Sequence, residues 1–105
     1  LIPTGEILSN ILVEKWFENY KIPLLNAYGP AECSDDVTHE FISSDSYQKN
    51  CLHQPVGKAI DNTEIYILNN QLFPMPINIV GEVFVSGIGI SQGYYNDPKK
   101  TALAF

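Results

Sequence analysis

A short apolar run that ends in a glycine–proline turn places the strongest constraint on this chain. Leu24 and Leu25 have the character of the end of a short buried strand, and the segment Asn26–Glu32, Asn-Ala-Tyr-Gly-Pro-Ala-Glu, follows directly. No regular element continues through the glycine–proline pair, so the strand must end there. In open α/β sheets, ligands bind in the crevice beyond the carboxyl ends of the strands. The sequence therefore predicts a ligand-binding loop at this turn.

The residue types in this loop suit a nucleotide. Tyr28 offers a flat face on which a base can stack, and Gly29 lets a ligand approach the backbone closely. Glu32 supplies a hard oxygen ligand of the kind that Mg²⁺ takes together with phosphates. The loop therefore has the chemistry of a nucleotide site that includes a magnesium ion.

Two motifs connect the chain to one enzyme family. The segment Asn26–Glu32 resembles Asn-x-Tyr-Gly-Pro-Thr-Glu of the adenylation domains of nonribosomal peptide synthetases, which belong to the AMP-forming acyl and aminoacyl adenylate ligases. Residues Gly81–Tyr94 are similar to the family's Gly-Glu-Leu-x-Ile-x-Gly-x-Gly-x-Ala-x-Gly-Tyr, and Pro55–Leu68 are similar to the segment that links the two motifs. The resemblance covers essentially the whole chain.

The resemblance implies an α/β fold that forms part of the large N-terminal subdomain of an adenylate-forming enzyme. Residues 1–54 would form a strand–helix–strand core piece that carries the nucleotide loop. Residues 55–105 would form a mostly β, barrel-like piece of the same incomplete domain. The chain begins without methionine and both ends read as cut, so we expect a piece of a longer domain.

Local patterns predict the elements of both pieces. Apolar residues that recur every three or four positions predict an amphipathic helix, for which Ser9 is a plausible N-cap. Two prolines predict that residues 72–79 are irregular or lie at a sheet edge. The predicted helices span 9–20 and begin again at 97–98, and the predicted strands span 37–42, 63–68 and 80–86.

The resemblance also assigns a nucleotide-binding set. Asn26 would hold adenine, Tyr28 would stack on it, and Glu32 would bind Mg²⁺. The full set is Gly5, Glu6, Asn26, Ala27, Tyr28, Gly29, Ala31 and Glu32. The family usually has threonine at position 31, where its hydroxyl contacts the α-phosphate region. Ala31 therefore predicts reduced or altered adenylation activity.

The predicted substrate pocket is only partly present in the chain. Its residues would be Ile2, Thr4, Ala27, Asp35 and Asp36, and the small side chain of Ala27 would leave room for the substrate. The two acids would favour a basic or hydroxyl-bearing side chain, because a buried carboxylate needs a partner. A solvated turn or a helix N-cap explains the same acids equally well, and residues 2–6 alone read as an ordinary strand-to-helix turn.

The resemblance implies amino-acid activation. The family uses ATP and Mg²⁺ to make aminoacyl-AMP, and the phosphopantetheine thiol of a carrier protein then captures the aminoacyl group. The implied partners are the amino acid and the carrier-protein and condensation domains of the same synthetase. The family's phosphate loop, its ribose-binding aspartate and its lid lysine do not occur in these 105 residues. No catalytic residue is therefore predicted here, and we expect no activity from this chain alone.

Two alternatives stay open. The chain is also compatible with a fragment of an acyl-CoA synthetase of the same superfamily, which uses a different acceptor thiol. A carrier-protein domain encoded downstream would distinguish the two. The other alternative is a non-catalytic relic or binding module that keeps only the sheet. A cooperative unfolding transition of the monomeric chain would favour that reading, because a piece of a larger domain exposes apolar patches and aggregates.

Composition limits the classes of binding partner and the cellular compartments that suit this chain. A net charge of −6 argues against nonspecific binding to nucleic acid or to an anionic membrane. The apolar runs are too short to span a bilayer. Cys33 and Cys51 lack metal-site spacing and are expected to be free thiols of a cytoplasmic protein. His39 has no nucleophile arranged around it, so we expect a structural role.

Overall fold

A computed structural model describes the whole chain, residues 1–105, and it is mixed α and β as predicted. Neither helix has the length and apolar character that crossing a lipid bilayer requires. A short 3-10 helix occupies Ala31–Cys33, directly after the first strand. The other elements are α1 (Asn10–Asn19), β1 (Leu24–Tyr28), β2 (Thr38–Ile42), β3 (Lys58–Ala59), β4 (Thr63–Leu68), β5 (Glu82–Gly87) and α2 (Pro98–Ala104).

The first sheet carries the nucleotide loop at one end. Its strand order is β1-β2-β3, and both pairs are antiparallel. The first three residues of the chain run beside β1 in the parallel sense. The Leu25 N–H donates to the Leu1 carbonyl at 3.0 Å, and the Ala27 N–H donates to the Pro3 carbonyl at 3.1 Å. An extended segment, a helix and a strand therefore follow one another as the predicted core piece requires.

Helix α1 begins where the sequence pattern predicts. The Oγ of Ser9 accepts the Leu12 N–H at 3.4 Å, which confirms Ser9 as the N-cap. The predicted apolar stripe is only partly covered. Trp16 is partly buried, but Leu12 and Tyr20 stay 56% and 51% exposed. The helix therefore buries one side of its apolar face against the sheet and leaves the other side open.

The core of the chain is small and lies in its first half. Val13 of α1 packs with Leu8, Leu24 and Ile42, and three aromatic side chains cover the edge of this cluster. All 11 buried residues of the chain lie between Leu8 and Gln54. The second half has no buried core of its own, so its fold depends on strand pairing and on contacts with the first half.

A buried pair of amides fastens the loop at 43–54 to the start of α1. The Nε2 of Gln54 donates to the Oδ1 of Asn10 at 2.7 Å, and the Oε1 of Gln54 accepts the Gln48 N–H at 3.0 Å. The two side chains belong to residues that are only 5% and 8% exposed. Buried amides need such partners, because an unpaired one loses its hydrogen bonds to water without replacement.

Gln54→Ala is expected to lower the free energy of unfolding by about 2 to 3 kcal/mol, because it leaves the buried Oδ1 of Asn10 without its hydrogen-bond donor. Chemical denaturation measures the change. The matched control is Gln92→Ala, which truncates an exposed glutamine and should change stability by less than about 0.5 kcal/mol. Equal effects of the two substitutions would contradict the structural role of this pair.

The second half does not form the barrel-like piece that we expected. Only β4 and β5 pair there, antiparallel over Thr63–Leu68 and Glu82–Gly87, and no closed barrel results. Strand β3 instead joins β2 in the first sheet. The segment between β4 and β5 contains two prolines, which cannot donate to a ladder, and it makes a single bridge between Leu68 and Pro74. The predicted irregular character of 72–79 is thus confirmed.

The predicted start of the second helix is also confirmed. The Oδ1 of Asp97 accepts the Lys100 N–H at 2.9 Å, and Pro98 occupies the first helical position. Helix α2 therefore begins at a position that local chemistry alone determines.

Candidate functional site

A cleft of about 220 Å³ opens beyond the carboxyl end of β1, as the loop predicts. Three of the residues that line this cleft were not predicted from the sequence to contribute to a site, namely Ile7, Leu8 and Val56. The buried amide of Gln54 also reaches this lining, so the loop at 43–54 contributes to the cleft. Six of the eight predicted nucleotide-binding residues line it: Gly5, Glu6, Asn26, Ala27, Tyr28 and Gly29.

Asn26 and Tyr28 stand in different environments at this cleft. Asn26 is 3% exposed, and its Nδ2 donates to the Pro55 carbonyl at 2.7 Å. Because a carbonyl only accepts, this bond orients the amide and leaves the Oδ1 of Asn26 as an acceptor. Tyr28 is 40% exposed, so part of its ring stays accessible. One fixed polar group and one accessible ring therefore lie two residues apart on β1.

The backbone around position 29 leaves room only for glycine, whether or not a ligand is bound. A Cβ at this position would lie 1.7 Å from the carbonyl oxygen of Asp35, because the loop folds back over the glycine. The residue was predicted to admit a ligand, and it does line the cleft. The structure adds a second reason for glycine, which is the contact between two backbone segments of the same loop.

The predicted substrate-pocket residues lie partly together and mostly outside the cleft. The Thr4 hydroxyl donates to the Oδ1 of Asp36 at 3.5 Å, and the Oδ2 of Asp36 lies 3.2 Å from the Nε2 of His39. Asp36 thus has two partners within the chain, and His39 has a structural contact. Asp35 is exposed with a φ of 121°, and Ile2 is 58% exposed.

Glu32, the predicted magnesium ligand, faces a separate hollow of about 610 Å³ together with Glu82 and other residues of β5 and α2. Its carboxylate accepts a hydrogen bond from the hydroxyl of Tyr94. This bond, helped by the backbone and by the nearby Lys100 ammonium, lowers the pKa of Glu32. The same bond raises the pKa of Tyr94. Glu32 therefore stays ionised, as a cation ligand must be.

The second motif packs directly on the first. The Ser91 N–H donates to the Glu32 carbonyl at 2.8 Å. A Cβ at Gly89 would lie 3.0 Å from the Cys33 carbonyl oxygen, so the two backbones are close there. Gly89 therefore serves the close contact between the two motifs. Sequence reasoning missed Tyr94 as a partner of Glu32, although this tyrosine closes the second motif.

The cysteines form no disulfide. Both thiols are free, as predicted, and Cys33 is buried while Cys51 is partly buried. Burial raises the pKa of the Cys33 thiol, and the negative charge of Glu32 adds to this effect. Cys33 is therefore a protonated packing residue of the loop at neutral pH.

The comparisons with known proteins agree with this geometry. Residues 1–95 match the family described as AMP-binding enzyme. Over 105 residues the chain is 39% identical to tyrocidine synthase 1 of Brevibacillus parabrevis, and the match covers 100% of the chain. The chain spans only 9% of the length of that protein.

Solved structures match the fold over nearly the whole chain. The N-terminal subdomain of Klebsiella oxytoca NpsA, in complex with 3-hydroxybenzoyl-AMSN, is 26% identical and superposes with a TM-score of 0.80. That match covers 97% of this chain and 24% of NpsA. The Vibrio cholerae adenylation domain AlmE, in complex with glycyl-adenosine-5′-phosphate, is 29% identical with a TM-score of 0.79, over 97% of this chain and 20% of AlmE.

The motifs, their contact in the structure and the comparisons all agree. The nucleotide loop, the second motif and the link between them occur in order along the chain, and the structure brings the two motifs into contact. The family match covers all of both motifs, and the fold matches that of solved adenylation domains. The chain therefore belongs to the AMP-binding enzyme family, and within it corresponds to part of the N-terminal subdomain of a nonribosomal peptide synthetase adenylation domain.

Proposed function

We propose that this chain forms the nucleotide-loop part of an adenylation domain that activates an amino acid. The complete domain would make aminoacyl-AMP from the amino acid and ATP. It would then transfer the aminoacyl group to the phosphopantetheine thiol of a carrier-protein domain in the same synthetase. Condensation domains of that synthetase would be further partners, and we place the protein in the cytoplasm.

The observation that carries this proposal is the cleft beyond β1. Gly5, Glu6 and the accessible ring of Tyr28 share it with the oriented amide of Asn26. A purine needs a flat apolar face and a few fixed polar groups at its edge, and this lining supplies both. Asn26 would accept a hydrogen bond from adenine through Oδ1, and Tyr28 would stack on the base.

The chemistry that these residues support is positioning. In the proposed reaction a carboxylate oxygen of the amino acid attacks the α-phosphorus of ATP, a mixed anhydride forms, and pyrophosphate leaves. The protein need only hold the reacting groups in place and stabilise the charge that develops. Part of the amino-acid pocket would be lined by Ile2, Thr4, Ala27, Asp35 and Asp36.

Glu32 fits a magnesium ligand. Mg²⁺ is commonly held by one or two carboxylates together with substrate phosphates, and Glu32 is a single ionised carboxylate on the short helix at the end of the nucleotide loop. A cation bound there would neutralise phosphate charge. Because Asp36 already contacts Thr4 and His39, it does not require a cationic substrate side chain as its partner.

The exposed apolar surface supports the proposal that this chain is part of a larger domain. Val80, Ile77 and Leu103 are 93%, 91% and 89% exposed, values unusual for side chains of this kind in a finished domain. We propose that other parts of the complete domain cover them, and that a division near residue 54 separates two pieces of that domain. A test of this function therefore needs the complete adenylation domain that contains these residues.

Amino-acid-dependent exchange of pyrophosphate into ATP tests the proposal. The complete domain is expected to catalyse exchange with one or a few members of a panel of amino acids. Exchange only with aliphatic carboxylic acids, followed by transfer to coenzyme A, would instead identify an acyl-CoA synthetase. A cooperatively folded protein that exchanges with no acid would contradict an enzymatic function altogether.

Ala31→Thr is expected to raise the adenylation rate of the complete domain about 10- to 100-fold. The added hydroxyl supplies a hydrogen bond to a charged group near the α-phosphate, worth about 1.5 to 3 kcal/mol. Initial rates of exchange at saturating substrate measure it. Ala59→Thr, at an exposed position of β3, is the matched control and should leave the rate unchanged. An unchanged rate for Ala31→Thr would contradict the assigned role.

A further inference from the structure

The hydroxyl of Tyr94 is the partner of a carboxylate that lies far from it in sequence. It donates to Glu32 across 62 residues, which joins the end of the second motif to the short helix of the first. The backbone of Glu32 is held separately, since its carbonyl accepts the Ser91 N–H at 2.8 Å. The bond from Tyr94 therefore acts on the side chain of Glu32, whose backbone is already fixed.

Tyr94 is itself held firmly by α2. Its backbone N–H donates to the Oγ1 of Thr101 at 2.9 Å, and the Thr101 hydroxyl donates to the Asp97 carbonyl at 2.8 Å. The Lys100 ammonium lies 4.0 Å from the centre of the tyrosine ring, and the Phe105 ring meets it edge-on at 5.9 Å between centroids. The ring cannot turn away without losing these contacts.

We propose that Tyr94 is a positioning residue for the divalent cation of the nucleotide site. Its hydroxyl holds Oε1 of Glu32, so Oε2 would be the oxygen that binds the cation, an inference that rests on the proposed role of Glu32. Carboxylate ligands are commonly oriented by hydrogen bonds of this kind, and loss of such a partner weakens metal affinity about 10- to 100-fold. The second motif would thus contribute to the chemistry of the first, in addition to shaping the fold.

Tyr94→Phe tests the proposal, because it removes the hydroxyl and keeps the ring against Lys100 and Phe105. Mn²⁺ binding in the presence of ATP, followed by the electron paramagnetic resonance of the free ion, reports cation affinity without turnover. The substitution is expected to weaken Mn²⁺ binding about tenfold. AMP binding without metal, measured by calorimetry, should stay unchanged. Tyr95→Phe alters an adjacent tyrosine that is 93% exposed, and it should leave both affinities unchanged.

The outcomes separate this proposal from the function on which it rests. If Glu32→Gln weakens Mn²⁺ binding and Tyr94→Phe does not, the positioning role is wrong and the cation site stands. If Glu32→Gln has no effect either, the cation role of Glu32 fails and the proposal fails with it. Tighter Mn²⁺ binding by Tyr94→Phe would show that the hydroxyl competes with the cation, which also overturns the proposal. In the Glu32→Gln background, Tyr94→Phe should have no further effect.

Discussion

Replacing Gly29 with alanine is expected to abolish AMP binding by the complete adenylation domain and to lower its free energy of unfolding by about 3 kcal/mol or more. The new Cβ would lie 1.7 Å from the Asp35 carbonyl oxygen and 2.7 Å from the Cα of Asp36. Both are backbone atoms, so no side-chain rotation relieves the clash. The loop must open, and it carries Tyr28 with it.

Thermal unfolding and calorimetric titration with AMP measure the two effects of Gly29→Ala. Gly5→Ala is the matched comparison, because Gly5 also lines the cleft. A Cβ at Gly5 meets nothing within 4 Å, and only its φ of 82° opposes a side chain. We therefore expect a loss of only about 1 kcal/mol there, the usual cost of left-handed backbone. A Gly29→Ala protein as stable as the Gly5→Ala protein would contradict the close backbone contact.

Features determined by neighbouring residues were predictable from the sequence. Ser9 caps α1 and Asp97 caps α2 through bonds that span three residues, so the local pattern contains all the needed information. The end of β1 at a glycine–proline pair is equally local, and the structure has a cleft at that end, lined by residues 26–29. The family resemblance then supplied Gly5 and Glu6, whose position beside Tyr28 depends on residues 1–3 pairing with β1.

Features that join distant segments were not predictable. Nothing in residues 10 and 54 indicates that their amides meet, because each alone is an ordinary polar residue of a helix or a loop. The prediction of a barrel-like second piece failed for a related reason. Apolar alternation predicts strands, but the partner of each strand is a tertiary choice, and β3 pairs with β2. Asp36 likewise gained His39 and Thr4 as partners only through folding.

Glu32→Gln is expected to weaken Mg²⁺-dependent ATP binding by the complete domain at least about a hundredfold. The carboxamide keeps the size of the side chain and can still accept the Tyr94 hydroxyl, so the loop should stay folded. What it loses is the negative charge that a hard cation requires. Because removal of an outer partner alone weakens metal affinity 10- to 100-fold in known sites, loss of the ligand itself should cost at least as much.

The matched control for Glu32→Gln is Glu82→Gln, since Glu82 lines the same hollow from β5 and makes the same change in net charge. Titration of each variant with ATP at several Mg²⁺ concentrations, and with AMP alone, separates cation binding from base binding. Glu32→Gln should lose the Mg²⁺ dependence and keep AMP affinity, whereas Glu82→Gln should keep both. Equal losses in the two variants would mean that the general field of the hollow attracts the cation. A loss confined to Glu32→Gln would instead identify the Glu32 carboxylate as a direct ligand of the cation.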